Sequence, residues 1–241
     1  MKLSVVIPTY NFENYIEECL ESVVSQETNF DYEIIIRDDF SQDNTVDIIK
    51  KYQKKYDNIF YIPANKNIGF HKSIRLLLDY CRGEYISYID GDDYWINKNK
   101  LQKDVDFLEK NKDYSMVFSG YWFQINEDKS KLNLNYWWGI PKNIKDIVTK
   151  DDLLTGNLIT SSSRTFRNYE NIIKDYFYLF SVTDWPMNYE ISKRGNIKFL
   201  NYPSFVYRKH NENLSYQFKE LSKEEKKIIF DNEKKILLNN L

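Results

Sequence analysis

The chain opens on five residues that are apolar except for Ser4, Leu3 to Ile7, and Pro8 then ends the run. A proline lacks the backbone N–H that a strand ladder uses. From Asn11 the spacing changes. Phe12, Tyr15, Ile16, Cys19, Leu20, Val23 and Val24 recur at three and four residues, which predicts a helix with one apolar face and Asn11 as its N-cap. The same switch repeats downstream. EIIIR (33–37), IFYI (59–62) and YISYI (85–89) read as buried strands, and 45–56 and 73–81 read as helices between them. Strand and helix thus alternate through the first ninety residues, which predicts a mostly parallel sheet with helices on both faces. Ligands of such sheets gather at the carboxyl ends of the strands.

The pattern loosens after residue 100. Leu101 to Lys110 reads as helix, 115–123 as strand, 126–150 as loop, 160–166 as a further strand and 184–195 as a short helix with Pro186 in its first turn. NIKFL (196–200) reads as the last strand. Residues 220–241 form a charged helix with Leu221, Ile228, Ile229, Ile236 and Leu237 near one face. Mixed charge there favours an ordinary solvated helix over membrane contact or self-association.

Composition narrows the function classes. With 34 Lys plus Arg against 36 Asp plus Glu, the chain lacks the basic excess of a nucleic-acid binder. Cys19 and Cys81 fall at apolar helical positions and match neither a metal spacing nor a disulfide framework. That pair, the lack of a signal-peptide pattern and the absence of a run near the ~20 apolar residues of a membrane span point to a soluble cytoplasmic protein. Peripheral contact with a membrane is compatible with all of this.

The chemistry concentrates in carboxylates at expected strand ends: Asp38 and Asp39, then Asp90, Asp92 and Asp93 within DGDD, and later Asp184. Like charges packed into four residues raise one another's pKa unless a cation intervenes. A divalent metal holding a diphosphate resolves that conflict, because Mg²⁺ and Mn²⁺ prefer carboxylate oxygens and keep positions for phosphates. A solvated acidic turn capping the next helix explains DGDD as well. Asp39 could accept a hydrogen bond from a base or a ribose hydroxyl, or serve the loop. Ser41 and Asp43 suit N-caps of the helix that follows. His210, one of two histidines, is open to an ordinary structural role or to completing a metal shell.

Taken in order, VVIPTYN, SVVSQ, DDFSQDNT, NIG (67–69), RGEYISYIDGDDYW, KLQKDVDFLEKN, TDW (183–185) and YRKHNENLS resemble glycosyltransferase family 2, the inverting nucleotide-sugar transferases of GT-A fold. The resemblance implies a Rossmann-like domain over 1–212, with a nucleotide-donor half at about 1–100, an acceptor half at about 101–212 and a helical extension at 213–241. It places Pro8, Thr9, Tyr10, Asn11, Asp39, Asn67, Gly69, Arg75 and Asp90 around the nucleotide. DGDD stands for the family's DxD motif, with Asp92 and His210 on Mn²⁺ or Mg²⁺ and Asp93 as a weaker candidate. Asp184 stands for the general base. The implied donor is a nucleoside-diphosphate sugar, UDP-sugar first, and the implied acceptor a glycan or lipid-linked glycan of bacterial surface polysaccharide or lipo-oligosaccharide. Three departures stand out: Phe40 where the family often has Gly, Thr183 where it often has Glu, and no ARN triplet after NIG, with Arg75 nearby instead. Rival readings are a degenerate binding or scaffold subunit and a nucleotidyltransferase; a glycosidase ranks below both. Tyr121, Trp122, Tyr136, Trp137 and Trp138 are expected to shape the acceptor side, mostly by packing.

Overall fold

The computed structural model describes residues 1–125, 132–133, 144–210, 213 and 221–240. The expected alternation is present: β1 (Leu3–Thr9), α1 (Ile16–Val24), β2 (Tyr32–Asp38), α2 (Thr45–Lys55), β3 (Ile59–Ile62), α3 (Phe70–Asp79) and β4 (Tyr85–Tyr88). There follow β5 (Tyr94–Trp95), α4 (Lys100–Lys110), β6 (Tyr114–Ile125), β7 (Leu132–Asn133), β8 (Ile147–Val148), α5 (Lys150–Leu153), β9 (Thr165–Arg167), α6 (Asp184–Ser192), β10 (Asn196–Lys209) and α7 (Lys223–Asn239). One central sheet runs in the order β3-β2-β1-β4-β9-β6-β10-β5, with β7 on β6 and β8 on β10.

The runs of apolar residues are continuous because both faces of the sheet are covered. Leu3, Val5 and Ile7 pack with Ile16, Cys19, Leu20 and Val23 of α1 on one face. Val6 and Ile35, alternating with them, pack with Ile74 and Leu77 of α3 on the other. β1 pairs in parallel with both β2 and β4, and β2 with β3. The chain winds outward from β1 to β3, then returns to the other side of β1. That reversal leaves a crevice at the carboxyl ends of β1 and β4, where open α/β sheets bind ligands.

The second half adds β9 antiparallel between β4 and β6, and β10 parallel to β6. β10 does not stop at Leu200. It passes Pro203 with register shifts on either side and continues to Lys209, since a bulge lets a strand absorb a residue without an N–H. The expected strand at 160–166 forms only over Thr165–Arg167; Ser161–Ser163 is a 3₁₀ turn. Asn11 does not cap α1. The helix starts at Ile16, and Asn11 has a φ of 55° in the preceding loop. Asn44, rather than Ser41 or Asp43, occupies the position before α2.

The last helix is more than a solvated appendage. Leu237 is fully buried, and Phe230 stacks on Trp185 at 5.0 Å. Ile228, expected on its apolar face, is exposed. Tyr121 is buried against Phe205, as expected of a packing residue; Tyr136, Trp137 and Trp138 lie outside the described residues.

A buried ion pair ties the two halves together. Lys100 on α4 reaches Asp104 at 2.6 Å with both side chains out of solvent. Asp104 also accepts from Thr165 Oγ1 (2.7 Å) on β9 and from Tyr202 OH (3.1 Å) on β10. Removing one partner strands a charge in a low dielectric, which costs about 3–5 kcal/mol. Asp104→Ala is therefore expected to lose about that much in urea unfolding; a loss under about 1 kcal/mol would show that the pair contributes nothing of the kind.

Candidate active site at the carboxyl edge

Three loops meet at the carboxyl ends of β1, β2 and β4, and polar bonds hold them in register. Asp39 N–H donates to Thr9 O at 2.9 Å, and Asn11 N–H to Ser41 Oγ at 2.7 Å. Asn11 Oδ1 accepts from Gln42 N–H at 2.9 Å. Asn11 is thus a staple between loops, and its left-handed φ suits that use rather than a cap. Ser41 is likewise engaged by its neighbours: Asp38 accepts from both its N–H and its hydroxyl. Asp43 accepts from Thr45 N–H and Glu13 N–H, joining the start of α2 to the loop before α1. Pro8 O accepts from Gly91 N–H at 3.1 Å, so the first and fourth strand ends are joined directly. A Cβ on Gly91 would lie 3.0 Å from the Thr9 side chain, which is why a glycine suits this contact.

The candidate nucleotide residues separate into two groups. Asp39 accepts from Gly69 N–H (2.8 Å) and Ile68 N–H (3.0 Å), with Arg37 at 3.6 Å. Asn67 Oδ1 also accepts from Gly69 N–H, which opens α3 at φ 85°. Asp39, Asn67 and Gly69 therefore form one corner, beside the Thr9–Asp39 junction. Tyr10 and Phe40 stand exposed on either side of that junction. Arg75, in contrast, is turned toward Asp175 at 3.7 Å and does not join the carboxylates.

DGDD folds so that its three carboxylates point to different surroundings, with Ser162 shared between Asp90 and Asp93. Asp90 accepts from Ser161 Oγ, from Tyr88 OH at 3.1 Å and from Ser162 Oγ at 3.4 Å. Burial pushes its pKa up to about 7, helped by the charges of Asp92 and Asp184. Asp93 is turned inward, accepting from Ser162 Oγ (2.6 Å) and Arg208 N–H (3.0 Å). Burial raises its pKa well above the ordinary range. Its two bonds anchor the loop to β10 and to the serine turn. Asp92 faces the crevice. Its Oδ2 lies 3.1 Å from His210 Nε2 and accepts from Asn213 Nδ2 at 2.8 Å. Tyr15 stacks on the His210 ring at 4.4 Å and Phe12 meets it edge-on.

Asp92 and His210 fit a divalent ion. Donor atoms bound at adjacent octahedral corners, ~2.1 Å from the ion, lie ~3 Å apart; the carboxylate oxygen and the imidazole nitrogen have that spacing. Carboxylate with imidazole also suits Mn²⁺. No group of three or more His, Cys, Asp or Glu side chains placed to hold a metal occurs among the described residues. Such an ion would take its other positions from water or ligand.

Asp184 opens α6, at a helix N-terminus where a carboxylate is favoured. Arg164, fully buried, reaches Asp184 Oδ1 at 3.5 Å, donates to Asn188 Oδ1 at 2.7 Å and lies over the Tyr88 ring. Burial raises the Asp184 pKa, while Arg164 and a backbone hydrogen bond from Ser161 hold it down. Its Oδ1 is buried without a hydrogen-bond partner, although a fifth of the side chain remains exposed. Asp90 senses the charges of both Asp92 and Asp184, so the three belong to one electrostatic site.

Sequence reasoning missed Ser161, Ser162, Arg164, Arg208 and Asn213. The serine run was the available signal: three hydroxyls beside an expected buried strand have few uses besides satisfying buried acceptors. Asn213 was assigned to the extension, yet its side chain bonds with Asp92 and His210. The expected boundary at 212/213 runs between residues of this cluster.

Phe40 carries a φ of 72° with its ring largely in solvent. A side chain in that region costs about 1–2 kcal/mol, part of which glycine returns as extra unfolded-state entropy. Phe40→Gly should stabilise the protein by up to about 1 kcal/mol in urea unfolding, while Phe40→Ala, which keeps the Cβ, should not. A destabilised glycine variant would mean that the ring makes a contact worth more than the strain.

Comparison with known proteins bears on the family and the fold. A sequence model described as glycosyl transferase family 2 matches residues 4–172. An uncharacterized protein of Mycobacterium tuberculosis is 32% identical over 212 residues, 86% of this chain and 59% of its own length. The poly(ribitol-phosphate) beta-glucosyltransferase of Bacillus spizizenii is 42% identical over 113 residues, 46% of this chain and 18% of that protein. The crystal structure of Staphylococcus aureus TarS 1–349 in complex with UDP-GlcNAc superposes with a TM-score of 0.67 at 23% identity, covering 89% of this chain and 61% of that one. The chain thus spans about six-tenths or less of these three proteins, and the fold is the GT-A type expected. With the family model covering most of the chain, this protein belongs to glycosyl transferase family 2.

Proposed function

We propose that this chain carries a glycosyltransferase that moves a sugar from a nucleoside-diphosphate sugar to an acceptor hydroxyl with inversion at the anomeric carbon. The observation that carries the reading is the pairing of Asp92 with His210 beyond the end of β4, with Asp92 and Asp184 both near enough to act on the charge of Asp90. The corner of Asp39, Asn67 and Gly69 lies beside Tyr10 at the end of the same sheet, and supports a nucleotide site there. UDP-sugars are the first donors to test, because the named relatives are TarS bound to UDP-GlcNAc and a poly(ribitol-phosphate) glucosyltransferase. A glycan or lipid-linked glycan of a bacterial surface polymer is the acceptor class in keeping with them. Among the described residues no helix is long and apolar enough to cross a membrane.

Asp92 and His210 would hold Mn²⁺ or Mg²⁺, which supplies charge neutralisation at the departing diphosphate. Asp90, held by Ser161 and Tyr88, would lie near the ribose. Asp184, a fifth of whose side chain remains exposed, accepts the proton of the attacking hydroxyl, while Arg164 stands by its buried Oδ1. Arg164 counters the burial of that carboxylate and so favours the ionised form a base needs. A single displacement from the face opposite the leaving group inverts the centre. The donor half of about 1–100 and the acceptor half of about 101–212 then meet at Asp90 and Asp184, with Asn213 added to the domain.

The test is a donor screen. Purified protein is incubated with Mn²⁺ and UDP-, GDP- and dTDP-sugars, and nucleoside diphosphate release is measured. One donor should be turned over. Asp184→Asn should lower that turnover by ~10²–10⁴-fold while donor affinity is kept. The acid limb of the wild-type rate should lie above the ordinary aspartate range near ~4, because burial raises this carboxyl. Near-wild-type turnover in Asp184→Asn would overturn the base assignment. Pyrophosphate release from a nucleoside triphosphate would favour nucleotidyl transfer instead.

A further inference from the structure

Asn213 lies beyond the last strand, in YRKHNENLS, where only His210 was given a role, yet both ends of its amide are used at the site. Its Oδ1 accepts the His210 backbone N–H at 2.6 Å, which identifies that atom as the oxygen. The amide nitrogen is thereby turned inward, 2.8 Å from Asp92 Oδ2 and 3.1 Å from His210 Nε2. Asp92 Oδ2, His210 Nε2 and the Asn213 amide nitrogen thus form a tight triangle. The 3.1 Å between Oδ2 and Nε2 is the spacing of a hydrogen bond and also that of cis ligands on one ion. Asp92, His210 and Asn213 are all nearly buried.

We propose that Asn213 is a positioning residue for a divalent cation held by Asp92 and His210. Its amide nitrogen orients the carboxylate of Asp92, and its amide oxygen ties the backbone of His210 in place. Tyr15 and Phe12 fix the plane of the ring from the sides, and Asn213 fixes which edge meets Asp92. The inference rests on the metal reading of Asp92 and His210 made above. Partners of this kind are worth ~10–100-fold in metal affinity.

Mn²⁺ binding to the full chain, followed by the electron paramagnetic resonance signal of free Mn²⁺, separates the possibilities without any sugar donor. Asn213→Ala is expected to weaken Mn²⁺ binding by ~10–100-fold, with the metal-free melting temperature changed little enough that the protein is folded during the titration. If that variant does not fold, Asn213→Ser, which keeps a small polar group, is titrated instead and is also expected to bind more weakly than the wild type. Wild-type Mn²⁺ affinity in the folded variant overturns the proposal. Asp92→Ala and His210→Ala report on the underlying reading. If they abolish binding while the folded Asn213 variant binds Mn²⁺ as tightly as the wild type, only the role of Asn213 fails. If neither changes binding, or if the wild type binds no Mn²⁺, the metal site fails and this inference with it.

Discussion

Three carboxylates within four residues, set where a buried strand ends, are the constraint around which the rest of this molecule is arranged. Left alone, Asp90, Asp92 and Asp93 would repel one another and resist burial. The fold answers each separately. Serine and tyrosine hydroxyls meet Asp90, a serine hydroxyl and a strand N–H meet Asp93, and His210 with Asn213 meet Asp92. Only Asp92 is turned to a partner set that a metal could share. The crowding is relieved by giving Asp92 a partner set, His210 and Asn213, that neither Asp90 nor Asp93 shares.

That division explains the odd features of the second half. β10 must run past Pro203 to Lys209, because the N–H of Arg208 and the ring of His210 are needed at DGDD. The serine turn leaves the strand ladder because its hydroxyls are used on Asp90 and Asp93. Arg164, next in sequence, is then carried inward beneath Asp184. Antiparallel β9 brings this turn alongside β4. The parallel half supplies the crevice, and the mixed half supplies the groups that let carboxylates stand in it.

Much of the first half was legible in the chain itself. Switches between continuous apolar runs and three-and-four spacing marked β1 to β4 and the helices between them to within a few residues, since both faces of that sheet are covered. The carboxylates at strand ends were legible for the same reason. The loop staples were not: Asn11 and Ser41 look like caps locally and act across loops instead. Ser161, Arg208 and Asn213 stayed hidden because each acts on an aspartate some 70 to 120 residues away, a pairing that no local period records. β10 was cut short at Leu200 because a proline usually ends a strand and a bulge cannot be read from composition.

The central claim is that the carboxylate edge holds a nucleoside diphosphate through a divalent ion. Calorimetric titration of UDP into the protein, with Mn²⁺ and then with EDTA, tests it most directly. The account predicts saturable binding with Mn²⁺ that falls away when the metal is removed. UDP binding of equal strength in EDTA, or no nucleoside diphosphate binding at all under either condition when GDP and dTDP are tried in the same way, would contradict it.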